Sequence, residues 1–570
     1  MEKRLLTAII LSVAVILVWQ FLFPPPKPKR VEKSAPLAEE KGITSVEKST
    51  PLKASEEGVE PPSPPEPGRA APSPEKETAV STDLYTATFS SRGARLHSLK
   101  LARYRDMVDL PQICFIFPFS LIYEKEQFHH NNEFKELLSI QGIHNYPLHT
   151  DFKGPKLGYS ADAPYTASVS SLKLDTSTPQ GELVFSWTSK EGVGFIKKFT
   201  MSNDTYFIDY NFTVVNNSTT PLEGNPLVEW DMVAPQVDKG NGGGFFGGGG
   251  RGGDTLNAIW LASDEVKREE LKNIQESKSF SGEIKWAGFE EKYFISSLIP
   301  LKPQDLTLKL YRQDNAVGYQ LVSPVTTIPP QAQQSISYAL YLGPKDMGYL
   351  EKGKGELGRV LNFGRYLDPF AKPMLFILKL FYKLIPNYGI AIIILSVGLK
   401  AIFWPLTHKS QKSMKEMQKI QPKLAEIKEK YKNNKEEQQR KTLEIYRTHK
   451  VNPLGGCLPI LIQLPVFFAL YRVLLNSIEL RHAPFISFWI NDLSSKDYSY
   501  ISPILMGASM FIQQKMTPTT TDPVQAKMML LMPIVFTFMF LSFPSGLVIY
   551  WLITNVLSIV QQYYINKHSL

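Results

Sequence analysis

Five long apolar runs crowd the last third of this chain, at about residues 388–406, 454–478, 500–516, 528–543 and 547–564, and another occupies 5–23. Each is near the ~20 residues an α-helix needs to cross a hydrocarbon core of about 30 Å. In lipid every backbone N–H and C=O must be satisfied within the protein, which leaves helices or closed barrels, and runs of this length select helices. The expectation is a bundle of about six transmembrane helices. The first run follows Lys3 and Arg4 and ends in Trp19, Phe21 and Phe23 before three prolines at 24–26. With no small-residue cleavage site there, residues 1–23 read as a retained signal-anchor helix with its N-terminus in the cytoplasm.

The rest of the chain divides by composition. Residues 24–80 are rich in Pro, Glu, Lys and Ser with almost no aromatics, the composition of a disordered tether. Over 82–345 the signal becomes alternation: Tyr206, Ile208, Tyr210, Phe212 and Val214 recur at period two, as do Leu306, Leu308 and Leu310, and Ile336, Tyr338 and Leu340. Half-buried antiparallel strands have that period, and a β-sandwich beyond the membrane follows. Residues 346–386 hold an interfacial amphipathic helix at 367–385, where Lys372, Lys379 and Lys383 interrupt the apolar sequence. Residues 387–570 make a five-helix core carrying a helical hairpin at 408–450. That hairpin concentrates Lys and Arg far beyond the 479–499 loop, which places it, and with it both termini, in the cytoplasm. Its apolar seam runs through Leu424, Ile427 and Tyr431 and through Leu443 and Tyr446, with a turn at Asn433, Asn434 and Lys435.

Several chemistries lack their residues. The two cysteines, Cys114 and Cys457, fall on opposite sides of the membrane in this topology, and no Cys/His cluster or HExxH motif marks a metal site. The glycine-rich run at 240–253 has no GK[ST] ending, so it reads as a surface loop rather than a phosphate cradle, and no cofactor is expected. The formal charge of +9 sits largely in the basic hairpin. Beside membrane spans such a block is a topology signal and a lipid- or ribosome-facing surface rather than a specific nucleic-acid site.

Lys400 stands out. An ammonium at the centre of a spanning helix costs roughly 2.5–3.5 kcal/mol and ordinarily faces a polar cavity or partner. No Asp or Glu lies inside another span to pair with it, Glu479 being at the far-side end. Ser396 lies one turn earlier, and Gln463, Thr554, Asn555, Gln561 and Gln562 add polarity on other spans. A cavity opening inward around Lys400 is expected. Two function classes remain open on these residues: a non-enzymatic device that passes polar segments into the membrane, and a small-solute or ion transporter using Lys400 as an anion site. The transporter reading lacks an inverted repeat or an intramembrane carboxylate relay. A hydrolase would need a nucleophile with an oriented base, and no span offers that pair.

VNPLGGCLPILIQLPVFFALYRVL at 451–474, PTTTDPVQAKMM at 518–529 and FPSGLVIYWLITN at 543–555 resemble the YidC/Oxa/Alb membrane protein insertase family. The order of parts is similar to that of its bacterial members with a large periplasmic domain, over nearly the whole chain. The resemblance implies a mixed membrane protein of the bacterial cell inner membrane, with a helical bundle and a periplasmic β-sandwich. It implies no enzyme but an insertase and chaperone for nascent membrane proteins, working alone or with the Sec translocon, near the ribosome and among membrane lipids. It further implies a hydrophilic groove containing Lys400, where most relatives carry Arg, with Ser396, Gln463, Leu464, Phe467, Leu505, Met539, Tyr550, Trp551 and Asn555 along the client's route.

Overall fold

The computed structural model describes residues 75–568 apart from 117–132, 139, 141–146, 155–161, 235–255, 303, 365, 450–457 and 517–522. The expected anchor at 1–23, the tether up to residue 74, the glycine-rich run at 240–253 and Cys457 lie outside the described residues.

Alternation in the sequence becomes alternation of faces. Strand Phe207–Asn216 runs antiparallel between Val193–Ser202 and Ala332–Pro344 and buries Ile208, Tyr210, Phe212 and Val214. These strands belong to a large sheet that turns a corner within Lys278–Glu290. Its first half pairs with Asp305–Gln313, and its end pairs with Phe294–Pro300. Gly282, opposite Leu306 in the first half, has φ +135°, a conformation that a Cβ would oppose. A smaller sheet runs through Phe134–Glu136, Arg95–Arg105, Tyr85–Ser90, Glu77–Ser81 and Ser171–Lys173, the last pairing being parallel. It packs face to face on the large sheet through Phe89 against Phe199, 4.8 Å between ring centroids, and Tyr85 against Tyr206. The result is the expected β-sandwich.

Two boundaries differ from expectation. Glu77–Ser81 is already a strand paired along its length with Tyr85–Ser90, so the sandwich begins inside the stretch assigned to the 24–80 tether. Only Thr78 and Val80 turn inward there, too short an alternation to stand out beside proline-rich sequence. At the other end Leu350, Leu357, Val360 and Leu361 join the sandwich core. Of 346–386, therefore, only the last part is the amphipathic helix.

That helix, α1 (Asp368–Leu384), buries Ala371, Met374, Leu375 and Leu378 on one side and exposes Phe370, Phe376, Leu380 and Leu384 on the other. Next comes α2 (Tyr388–Lys430), whose first turn is capped by the Asn387 side chain accepting from the Ile390 N–H at 3.1 Å. It runs unbroken from the expected span into the first arm of the expected hairpin. Pro405 removes one N–H without ending the helix, and nearby the Thr407 hydroxyl bonds back to the Phe403 carbonyl at 3.0 Å. After a turn, α3 (Lys435–Thr448) returns alongside, and Gln438 donates to the Lys428 carbonyl at 3.1 Å. The bundle is completed by α4 (Leu458–Asn476), α5 (Ile501–Met516), α6 (Pro523–Phe540) and α7 (Ser545–His568). Length and composition qualify α2 and α7 as membrane spans, with Met529–Phe540 a shorter apolar helix.

The end of the bundle that carries the start of α2 is tied to the sandwich by specific contacts. Arg481, in the α4–α5 connection, donates to the Arg105 and Asp106 carbonyls at 2.8 Å each and lies over the rings of Tyr293 and Phe294. Lys379 of α1 bonds the buried Glu479 carboxylate at 2.7 Å and approaches Asp346 at 3.5 Å. Burial pushes the Glu479 carboxyl up, against the pull of Lys379.

Candidate functional site

Lys400 lies twelve residues into α2, about 18 Å from its N-terminal end at 1.5 Å per residue. One turn before it, Ser396 is buried and spends its hydroxyl on the Ile392 carbonyl at 2.7 Å. The opposing wall comes from α7, where Tyr550, Thr554, Ser558 and Gln561 recur at spacings of four, four and three and so share one face. That face is a polar stripe about 16 Å long. The Thr554 hydroxyl donates to the Tyr550 carbonyl, and the Ser558 hydroxyl to the Thr554 carbonyl, both at 2.8 Å. Back-bonds of this kind satisfy a hydroxyl inside an apolar span. Gln561 meets Thr407 of α2 at 3.1 Å. A third wall is α4, from which Gln463 donates to the Tyr550 hydroxyl at 3.3 Å.

These helices border an open-mouthed pocket with about 30 Å³ of room for water-sized groups, lined by Ser396, Leu399, Lys400, Phe403, Leu406, Thr407, Gln463, Tyr550 and Thr554. Its lining is mixed: apolar side chains from α2 face hydroxyl and amide groups on α4 and α7. The Lys400 ammonium donates to the Ser558 hydroxyl at 2.7 Å. Among the described residues no carboxylate lies within ion-pair distance of it, so the charge is balanced by dipoles alone. Such a charge is available to an incoming anionic group. No cluster of three or more metal-ligating side chains occurs among the described residues.

Of the residues singled out from the sequence, Lys400, Ser396, Gln463 and Tyr550 come together in this pocket. Phe467 and Trp551 do not line it; they pack edge to face at 5.1 Å between centroids, in an aromatic cluster with Phe536 and Phe540. Met539 packs half-buried against the bundle core, while Leu464 and Leu505 are exposed outside the pocket. Asn555 is turned away from it: its amide donates to Ser509 at 3.0 Å and fastens α7 to α5. Adjacent helix positions point ~100° apart, and here Thr554 faces the pocket while Asn555 faces α5. Sequence reasoning missed Ser558, although the four-residue spacing from Tyr550 and Thr554 marked it.

Residues 380–570 match the family described as 60Kd inner membrane protein, and residues 77–377 match the YidC periplasmic domain family. The chain is 42% identical to the membrane protein insertase YidC of Citrifermentans bemidjiense, over 100% of this chain and 99% of that protein. It is 40% identical to the protein of the same name from Syntrophus aciditrophicus, over the full length of both. A solved structure of an active YidC insertase is similar to 86% of this chain and covers 92% of its own, at 17% identity and a TM-score of 0.37.

Proposed function

Because the chain belongs to the YidC family of membrane protein insertases, we propose that it inserts nascent membrane proteins from the cytoplasmic side by receiving their polar flanks in the pocket around Lys400. The family is one of insertases, not of enzymes, and its relatives carry a periplasmic domain in the inner membrane. In this reading the anchor and α2, α4, α5, α6 and α7 make six spans with both termini in the cytoplasm. The interfacial helix α1 floats at the outer leaflet, and the basic hairpin of α2 and α3 faces arriving ribosomes and clients. The Sec translocon is a partner for some clients, while others use the insertase alone.

One observation carries the proposal: an ammonium with no carboxylate partner among the described residues, about 18 Å along a spanning helix, opens into a mixed polar and apolar pocket. A polar flank crossing bare lipid leaves each unsatisfied group at a cost of several kcal/mol. A pocket reaching partway across shortens the apolar distance, and Lys400 favours flanks bearing Asp or Glu. The client helix then leaves sideways into lipid past Leu464, Phe467, Leu505, Met539 and Trp551.

A photo-crosslinking amino acid at Gln463 tests this in cells. Adducts are expected with stalled nascent membrane proteins and not with stalled soluble chains. A probe at Phe376, on the exposed side of α1, serves as control. Equal adducts of both chain types at Gln463, or none with membrane clients, would remove the pocket from the client's path.

A further inference from the structure

Ser558 is the only hydrogen-bond partner of the Lys400 ammonium among the described residues, at 2.7 Å. It is buried, and it is not part of the pocket lining. The bond therefore holds the ammonium to one side of the cavity, against the α7 wall. The hydroxyl is also oriented: its own proton is committed to the Thr554 carbonyl at 2.8 Å, so its oxygen is left to accept. An acceptor fixed in this way suits a cation, and among the described residues no other side chain donates to it. Yet a neutral hydroxyl is a weaker partner for an ammonium than a carboxylate, which adds the attraction of an opposite charge to the hydrogen bond.

We propose that Ser558 is a latch on Lys400: it parks the ammonium against α7 in the empty pocket and yields it to a carboxylate on an arriving flank. This rests on the reading of the pocket as the client's entry site, and names the residue that sets its preference for acidic flanks. No proton need be transferred and no covalent bond changes. Ser558 is a positioning residue, acting through Lys400. A hold that is too weak leaves the charge waiting in the pocket and strengthens capture of acidic flanks. A permanent carboxylate at the same place would keep the ammonium and abolish the preference.

The test uses purified full-length protein in liposomes and two versions of one small client, with either two Asp or two Asn in the translocated flank. The readout is the ratio of acidic to amide client inserted. Losing one hydrogen bond to a charged group corresponds to roughly ten- to a hundredfold in an equilibrium. Ser558→Ala should raise the ratio by that factor, Ser558→Thr, which keeps a hydroxyl able to bond back to Thr554, should hold it, and Ser558→Asp should bring it to one or below. Unchanged ratios in all three variants, or equal losses for both clients in Ser558→Ala, would overturn the latch. If the ratio in the unaltered protein is one, and Lys400→Leu does not change it, the entry-site reading fails first and the latch with it.

Discussion

Lys379 is the hinge on which the interfacial helix hangs, and removing it should cost stability in a way that a second mutation repairs. Its ammonium lies 2.7 Å from Glu479, whose side chain is only 8% exposed, and 3.5 Å from Asp346. Lys379→Met would strand two carboxylates beside α1. Breaking a fully buried pair costs about 3–5 kcal/mol. Lys379 itself is 33% exposed, so solvent screens part of the interaction, and about 2 kcal/mol is the expected loss. Glu479→Leu alone leaves Lys379 with Asp346 and a route to water, and should cost less. The double variant removes the stranded charge at Glu479, so it should be more stable than Lys379→Met by about 1 kcal/mol. Thermal unfolding of the four proteins in detergent, followed by tryptophan fluorescence, measures the cycle. Additive single effects, with the double variant the least stable of all, would refute the claim that this ion cluster anchors the helix.

Two further outcomes follow from buried groups elsewhere. Burial, with Arg95 and Lys197 nearby, pushes His149 in the sandwich down to about 3 from an ordinary value of 6.5, against the pull of the Glu229 carboxylate 3.7 Å away. The folded chain thus keeps it neutral while the unfolded chain takes up a proton. Its contribution is fully present above pH ~6.5 and lost as the pH falls towards 3, about 2 kcal/mol by pH 5. His149→Gln should flatten the fall in melting temperature between pH 7 and pH 5, and an unchanged slope would contradict it. Between α5 and α6, a Cβ at Gly507 would meet the Thr537 hydroxyl at 1.9 Å. Gly507→Ala should destabilise the bundle by about 1–3 kcal/mol, and adding Thr537→Ala should recover most of that, both read from detergent melts.

Much of the architecture could be read from periodicity. The period-two strands, the amphipathic α1, the hairpin turn after Lys430 and the five apolar helices follow from local pattern, because burial on one face repeats along the chain. What escaped depends on meetings between distant segments. Lys379 and Glu479 lie a hundred residues apart, and nothing local to either announces the other. Ser558 is an ordinary helix residue until α7 brings it to Lys400, 158 residues away. Asn555 looked like a groove residue because polarity in a span is easily noticed, whereas the direction a side chain takes depends on which neighbour its face meets. The edges of the sandwich were misjudged for a related reason. Glu77–Ser81 takes its place from pairing with Tyr85–Ser90, not from any strong pattern of its own.

The central claim is that the charge at Lys400 serves insertion and not merely the placement of α2. Lys400→Leu improves the span as a transmembrane helix by roughly 3 kcal/mol, so the variant should be made at normal abundance. Lys400→Arg keeps the charge and its donors. The direct measurement is growth of a strain depleted of its own insertase and supplied with each variant, with protein level checked by immunoblot. The expected result is growth with Lys400→Arg and failure with Lys400→Leu at equal abundance; normal growth with Lys400→Leu would contradict the account.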